Sequence, residues 1–247
     1  MSERPRNAFL RSLGQESYAL FSEHLSPIRM ELGRMAYEVD GPVDWVYFPE
    51  TALLSVVQTS EDGRGVETAA VGSEGGLLLL EACASGLSTT TCFTQIDGHA
   101  WRAPAAACRA LMLSNEDFAR CALRLFEMQA IESRQSGMCQ ALHSVEPRFA
   151  RWLLECAERA GGRNPMPLTQ EFIGAMLGIQ RTTVTAFAGQ MQKIGLISYT
   201  RGRVELLDLE GLEERACECR DVTREQRRRL GLEPVKSQGP DLRLVSS

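Results

Sequence analysis

Residues 168–204 constrain the fold of this chain most strongly, because two helical patterns there are joined by a glycine corner. Thr169 is a predicted N-cap, and Glu171 lies in the first turn, where a negative charge suits the helix dipole. Gly178 tolerates the positive φ of a sharp turn, and Gly195 ends the second helix. The inward-facing apolar positions are Phe172, Ile173, Met176 and Leu177, then Val184, Phe187, Ala188, Met191 and Ile194. The segment predicts a helix-turn-helix followed by a β-wing.

The outward face of the second helix is short, polar and basic at its start. A helix that enters the major groove needs this profile, because its first turn must approach the base edges closely. The residues predicted to contact bases are Gln180, Arg181, Thr182 and Thr185. The residues predicted to contact the DNA backbone are Thr169, Arg201 and Arg203.

The charge distribution agrees with this interpretation, although the whole chain carries a formal net charge of −5. Residues 1–145 hold 11 Lys/Arg and 18 Asp/Glu, whereas residues 146–207 hold 8 Lys/Arg and 5 Asp/Glu. The acidity therefore lies away from the predicted DNA-binding part. A net local charge of +3 in residues 146–207 predicts moderate non-specific DNA binding.

The N-terminal half changes from a short helical lead-in, over about the first 30 residues, to short β-like runs. The predicted strands include residues 43–48, 52–59, 66–71 and 90–96. Turn residues such as Gly41, Gly63 and Gly98 separate them, which predicts a small barrel or roll. No apolar run reaches membrane-spanning length, and the N-terminus lacks the apolar segment of a secretory signal. We expect a cytoplasmic protein with no membrane contact.

A long helix follows, from a Ser114-x-x-Asp117 sequence that resembles a capping box to about His143. With Phe118 as the first heptad position, six of eight a and d positions are apolar. The predicted dimer seam is Phe118, Cys121, Leu125, Met128, Glu132, Gln135, Cys139 and Leu142. The alternative is that this face packs against the chain's own roll. We favour the seam, because symmetric DNA sites call for symmetric dimers.

The predicted fold class is α+β, with four segments. Residues 1–113 form a jelly-roll-like β-roll with its helical lead-in, and residues 114–143 form the long dimerisation helix. Residues 144–220 form the winged helix-turn-helix domain. Residues 221–247, with a run of three arginines at 227–229, form a flexible tail that is disordered or a loose amphipathic helix, and a nucleic-acid-binding arm is the less favoured alternative.

The eight cysteines are predicted to be reduced and mostly to fill the core. No Cys/His group has zinc-finger spacing, so the sequence predicts no metal site. Cys217 and Cys219, separated by Glu218, are interpreted as helix-surface positions, with a metal or redox role as the alternative. No nucleophile motif or phosphate-binding loop is present, and the sequence predicts no enzyme and no catalytic residue.

The order of roll, long helix, hinge at residues 143–145 and winged helix-turn-helix resembles the Crp/Fnr family of bacterial transcription regulators over residues 20–220. The most specific match is residues 168–207, where Gly178, Arg181 and the Gly195 exit fit. The resemblance implies a cyclic-nucleotide-binding-like roll. It also implies a homodimer that binds a near-palindromic site in double-stranded DNA and recruits or blocks RNA polymerase.

The resemblance also implies that this chain does not sense the effectors and cofactors of the well-known members of the family. Cyclic-AMP-binding members have a glutamate and, some ten residues later, an arginine for the phosphate; here Glu74 fits, but Ser88 replaces the arginine. No cysteine precedes Cys83, so the N-terminal iron–sulfur cluster of oxygen-sensing members is not expected. The available haem ligands, His24, His99 and His143, are interpreted as solvated or structural. No cofactor is predicted. The predicted effector-pocket residues are Glu74, Ser88, Thr89, Ser133 and Arg134.

The sequence thus predicts a homodimeric DNA-binding transcription regulator, controlled by an unidentified effector or independent of ligand. The alternative is a ligand-sensing module whose helix-turn-helix has become a protein-interaction surface. The negative net charge and Gln180, a poor N-cap, favour that alternative, whereas the three arginines of the motif oppose it.

Overall fold

The β-like runs of the N-terminal half pair into two antiparallel sheets in the computed structural model, which describes residues 4–234. The strands of this half are β1 (Ser26–Met30), β2 (Met35–Tyr37), β3 (Trp45–Pro49), β4 (Leu53–Thr59), β5 (Gly65–Val71), β6 (Thr91–Ile96) and β7 (Gly98–Pro104). One sheet has the order β1-β7-β3 and the other β2-β6-β4-β5. The predicted β-roll is confirmed, and its four predicted strands match β3 to β6 within two residues.

The helices that pack on the roll precede it, interrupt it and follow it. They are α1 (Ala8–Ser12), α2 (Gln15–Ser22), α3 (Leu79–Cys83), α4 (Ala105–Ser114) and α5 (Glu116–Leu142). Four phenylalanines form the centre of the shared core. Phe9 stacks on Phe48 with ring centroids 5.5 Å apart, and Phe21 meets Phe118 edge-on at 5.1 Å. Such pairs add to the stabilisation from burial alone. The lead-in helices and the start of α5 therefore belong to the roll's core.

The long helix begins differently from the predicted capping box. Asn115 is the N-cap, and its side-chain oxygen accepts from the Phe118 amide at 2.8 Å. Ser114 instead ends α4, where its hydroxyl donates to the carbonyl of Ala110. The Asp117 carboxylate accepts from the amide of Gly14 at 2.7 Å. Ser114 does not cap α5 because it still belongs to α4, and Asn115, the residue between the two helices, takes the N-cap position.

The predicted dimer seam is wrong for most of its members, because the same chain covers them. Phe118, Cys121, Leu125 and Met128 lie in the core of the roll. The other four seam residues have different environments: Cys139 is buried beside Cys217, Glu132 pairs with arginines, Gln135 is half-buried and Leu142 is exposed. The alternative, that this face packs on the chain's own roll, is the one that the structure supports.

The C-terminal half contains four helices and a hairpin before the final helix. They are α6 (Val145–Arg159), α7 (Gln170–Leu177), α8 (Arg181–Lys193), β8 (Ile197–Thr200), β9 (Arg203–Leu206) and α9 (Leu209–Arg215). A second core joins this half to the roll, because Leu53, Val57 and Ile96 pack with side chains of α6, α7 and α8. Phe93 of β6 also meets Phe172 of α7 edge-on at 6.0 Å. The two halves thus share a continuous apolar interface.

The predicted flexible tail is wrong for its first part. Residues Cys219–Leu230 form a helix, α10, that packs against α5. Arg227 is 1% exposed and donates to Glu132 at 2.6 Å and 2.8 Å, while Leu232 joins the core of the roll. The buried ion pair between Arg227 and Glu132 helps to order this segment. The sequence does not reveal the pair, because an arginine-rich segment ordinarily indicates a solvated surface. The rest of the predicted tail, residues 235–247, lies outside the described residues. Among residues 4–234, no helix has the length and apolar character needed to cross a bilayer.

Candidate nucleic-acid interface

The helix-turn-helix is built as the sequence predicts, with an N-cap on its first helix and a glycine of left-handed conformation at the corner. The Thr169 hydroxyl accepts from the Phe172 amide at 3.1 Å, and Gly178 has φ +67°. A further glycine, Gly174, allows α7 to approach the corner, since a Cβ there would lie 2.9 Å from the Ile179 carbonyl oxygen. The inward face of α8 is buried at Val184, Ala188 and Met191, half-buried at Phe187, and exposed at Ile194. The corner therefore has a fixed geometry.

The outward face of α8 is open to solvent along its first two turns. The four residues predicted to contact bases are all exposed: Gln180, Arg181, Thr182 and Thr185. Gln180 is the N-cap but makes no capping hydrogen bond with its side chain, which is therefore free for other partners. The Thr185 hydroxyl contacts the side-chain oxygen of Gln170 at 2.7 Å. Gln170, at the start of α7, is thus a polar neighbour of this face that the sequence analysis missed.

The wing is a tight hairpin whose two turn residues are both left-handed. Thr200 pairs with Arg203, and the turn between them holds Arg201 at φ +50° and Gly202 at φ +74°. Both φ angles are positive, as in a type I′ turn, whose twist matches that of the two strands it joins. The Tyr199 hydroxyl donates to the Leu168 carbonyl at 3.0 Å, so the wing is anchored beside the start of α7. Arg201 and Arg203 are exposed on it.

The arginines of this surface are available as cations. Within residues 4–234, no ion pair uses Arg181, Arg201 or Arg203. Thr169, the other residue predicted to contact the backbone, is exposed at the N-terminus of α7. The amides and partial positive charge of a helix N-terminus favour an anion such as a phosphate. The surface therefore combines free guanidinium groups with two helix N-termini.

A separate cleft of about 440 Å³ lies between β4, β5, α5 and α6. Glu74 borders it and is buried, but an arginine of the same chain already occupies its carboxylate. Arg159, at the end of α6, contacts Glu74 at 3.2 Å and Glu132 of α5 at 3.0 Å. Its buried guanidinium also donates to the carbonyl of Ala70. Burial disfavours the charged form of Arg159, but Glu132 and Glu74 outweigh it and raise the arginine's pKa.

Of the other predicted effector-pocket residues, one shares this cleft and three do not. Ser133 borders it, but Arg134 is exposed and does not line it. Ser88 is fully buried, and its hydroxyl donates to the carbonyl of Thr90, while Thr89 lies beside it outside the cleft lining. The structure therefore supports Glu74 and Ser133 as cleft residues. The prediction is wrong in placing Ser88, Thr89 and Arg134 with them.

The comparisons with known proteins agree with this geometry. Residues 147–215 match the Crp-like helix-turn-helix domain. These residues form a Crp-like helix-turn-helix domain, called the Crp-like domain below. A search of curated proteins by sequence finds no match.

Solved structures share the fold of the Crp-like domain together with the roll. A Crp/Fnr-family protein from Eubacterium rectale has 21% identity and a TM-score of 0.65, with 85% of this chain and 98% of that chain covered. FixK2 from Bradyrhizobium japonicum has 17% identity and a TM-score of 0.61, with 78% and 98% covered. The c-di-GMP responsive regulator CLP from Xanthomonas campestris has 12% identity and a TM-score of 0.61, with 79% and 100% covered. The α+β fold predicted from the sequence is confirmed as that of the Crp/Fnr regulators.

The cations that face the cleft come from the Crp-like domain, and the sequence analysis missed them. Arg148, Arg151 and Arg159 of α6 line it. Arg151 pairs with Glu155 at 2.7 Å. The spacing 151, 155 and 159 places three charges on one helical face beside the buried Trp152. Charges on the apolar side of a helix were the signal that could have revealed this network.

Proposed function

We propose that the chain is a homodimeric transcription regulator that binds a near-palindromic DNA site through α8 and the wing. The observation that carries the proposal is the face of α8. Its first turns expose Gln180, Arg181, Thr182 and Thr185, while its other face is buried in the Crp-like domain. Arginine can donate two hydrogen bonds to guanine in the major groove, and glutamine can bind adenine in the same way. Arg181 is the main base-reading residue in this proposal.

The backbone contacts of the proposal come from the motif's edges. Thr169 lies at the N-terminus of α7, and Arg201 and Arg203 lie on the wing. Contacts with phosphates position a protein on DNA without reading its sequence. The same surface then provides both affinity, through the arginines, and specificity, through α8.

The homodimer of the proposal uses a different face of α5 from the seam that the heptad pattern predicted. Leu123 is 58% exposed, and residues seven and fourteen positions later, Ala130 and Gly137, continue the same helical stripe. Phe126 and Ser133 lie on the neighbouring stripe, and both are at least partly accessible. Small residues allow two helices to approach closely, so this face suits a parallel pair of α5 helices.

The dimer would recruit or block RNA polymerase, as the resemblance implies, and cyclic AMP would not be its effector. The cleft volume is in the range of small-molecule sites. Its most buried cation, Arg159, is already bound by Glu74 and Glu132, so a cyclic phosphate would have to displace these carboxylates. A different effector and ligand-independent binding both fit this arrangement.

A salt titration tests DNA binding against the protein-interaction alternative. The full chain should bind random duplex DNA, and the logarithm of the binding constant should fall linearly with the logarithm of salt concentration. Combined substitution Arg201→Gln and Arg203→Gln should flatten this slope, whereas Arg64→Gln, an exposed arginine of the roll, should leave it unchanged. A chain that shows no binding to any duplex at low salt would support the protein-interaction surface instead.

A further inference from the structure

Three thiols and one imidazole meet where α5 ends and α10 begins. Cys139 and His143 lie one helical turn apart at the end of α5, Cys217 follows α9, and Cys219 opens α10. One ligand atom from each residue lies within 4.8 Å of the other three. All three cysteines are buried and His143 is half-buried. Two distant segments of the chain thus bring four metal-binding groups to one point.

Two distances within this cluster are close to those of a tetrahedral site, and all four ligand atoms lie within 4.8 Å of one another. The sulfur atoms of Cys139 and Cys217 are 3.6 Å apart, and the sulfur of Cys219 is 3.3 Å from Nδ1 of His143. With bonds of about 2.3 Å to sulfur and about 2.0 Å to nitrogen, a tetrahedral zinc ion separates its ligands by roughly 3.5–3.8 Å. The sulfur atoms lie well beyond the ~2.05 Å of a disulfide bond. Small movements of the side chains would complete the coordination.

The surroundings also suit a bound cation with thiolate ligands. Nε2 of His143 lies 3.2 Å from the carboxylate of Glu218, so the ring can donate to Glu218 while Nδ1 faces the thiols. Metal-bound histidines commonly have such a carboxylate partner, which fixes the ring's tautomer and orientation. The guanidinium of Arg151 lies close enough to Cys139 and Cys217 to interact with their charge, and within residues 4–234 its Nε atom has no hydrogen-bond partner. Three thiolates around a divalent ion leave one negative charge, and Arg151, which also pairs with Glu155, places a cation near that charge.

We propose that Cys139, His143, Cys217 and Cys219 bind one zinc ion. Four protein ligands leave no open position, which is the arrangement of structural rather than catalytic zinc sites. The ion would fasten the junction of α9 and α10 to the end of α5, beside the break at residues 143–144 where α6 begins. The site is therefore a clamp at the boundary between the long helix and the Crp-like domain. The zinc proposal does not depend on DNA binding.

Metal analysis of the full chain, purified under reducing conditions with no histidine tag, tests the proposal directly. We expect one zinc per chain by elemental mass spectrometry. After removal of zinc by a chelator, cobalt(II) should give the visible and charge-transfer bands of tetrahedral thiolate coordination, and added zinc should displace the cobalt and abolish these bands. Zinc should also raise the unfolding temperature, because it should bind the assembled site of the folded chain more tightly than the unfolded chain. A zinc-free protein that gives no cobalt–thiolate bands would overturn the proposal, as would an iron–sulfur spectrum.

Variants assign the ligands. Glu218→Gln removes a partner of the ligand His143 and should lower zinc affinity about 10–100-fold. Cys139→Ser and Cys219→Ser each remove a ligand and should lower it by more than that. Cys83→Ser is the matched control, because this half-buried cysteine of α3 lies outside the cluster, and it should retain one zinc. Circular dichroism identifies any variant that fails to fold, and the wild-type measurements do not depend on the variants. Folded ligand variants that retain full zinc affinity would contradict the assignment.

Discussion

At the scale of single residues, an exposed and unpaired side chain is suited to recognise a partner, whereas a buried and paired one stabilises the fold. Arg181 is exposed at the start of α8 and takes part in no ion pair within the described residues. Arg159, in contrast, is held by Glu74 and Glu132 in the interior. A free guanidinium can exchange water for a base edge at little cost, whereas the confined one would have to abandon two carboxylates.

Replacing Arg181 should reduce discrimination between DNA sequences. Arg181→Ala should cost about 1–3 kcal/mol on the preferred site and relax selectivity at one base pair in each half-site. Arg203→Ala is the comparison, and it should weaken binding to all sequences alike, because the proposal assigns Arg203 to phosphates rather than to bases. Fluorescence anisotropy on the preferred site and on random duplex DNA gives both losses. An equal loss on the two DNAs for Arg181→Ala would refute its role as a base reader.

Glu67 should make the stability of the protein depend on pH. Burial raises the pKa of this carboxyl, although it accepts hydrogen bonds from Ser55 at 2.6 Å and Trp152 at 2.8 Å. The folded chain therefore keeps the proton to higher pH than the unfolded chain. The stability gained from this proton is complete below the unfolded pKa, and it is lost as the pH rises through the folded value.

Glu67→Gln removes this titration and keeps a side chain of the same shape. The variant should be more stable than the wild type at neutral pH, and the difference should shrink as the pH falls towards the ordinary glutamate value of about 4.3. Urea unfolding across this pH range measures it. A difference that grows on acidification would show that Glu67 prefers its charged form in the folded chain.

At the scale of elements, local patterns predicted most of the helix-turn-helix but not the environment of α5. The Thr169 cap, the Gly178 corner and the polar face of α8 depend on neighbouring residues, so the sequence contains their signals. The heptad pattern of α5 shows only that one face avoids water. It cannot distinguish burial against a second chain from burial against the same chain, because both exclude water from the same side chains.

Two leucines that are two positions apart test which face of α5 makes a dimer. Leu123 is 58% exposed and Leu125 is 3% exposed in the single chain. Leu123→Glu should give folded monomers that bind DNA weakly. Leu125→Glu should instead destabilise the roll, because an unpaired carboxylate would replace a core side chain. Sedimentation and circular dichroism separate the two results. A folded Leu123→Glu protein that remains a dimer would move the interface elsewhere.

At the scale of the whole molecule, contacts between distant segments connect the roll, α5 and the Crp-like domain. Glu132 of α5 binds Arg159 of α6 and Arg227 of α10. Burial alone would raise the pKa of Glu132, but the two arginines outweigh it and lower the pKa. The cysteine–histidine cluster also joins the end of α5 to the start of α10. None of these contacts was predicted, because their partners lie far apart in the sequence and no short motif contains them. The two-part organisation, in contrast, follows from the change in hydrophobic period along the chain.

The cleft between these parts should reject cyclic AMP. Arg159 is the buried cation nearest to Glu74, and its interactions with two carboxylates must break before a phosphate can bind it. Calorimetry with the full chain should show no binding at micromolar cyclic AMP, and DNA affinity should not respond to the nucleotide. Micromolar binding accompanied by tighter DNA binding would contradict this prediction, and Arg159→Gln would then show whether the displaced arginine holds the phosphate.

Genome-wide mapping of DNA occupancy in the native cell tests the proposed function most directly. In the proposed dimer, two α8 helices related by a two-fold axis would read half-sites about one helical turn apart, roughly 10–10.5 base pairs from centre to centre. The mapped fragments should therefore share a near-palindromic motif with this spacing, and Arg181→Ala should abolish or broaden it while the protein level stays unchanged. Occupancy without a shared motif, or with one that Arg181→Ala leaves intact, would contradict sequence-specific binding through α8.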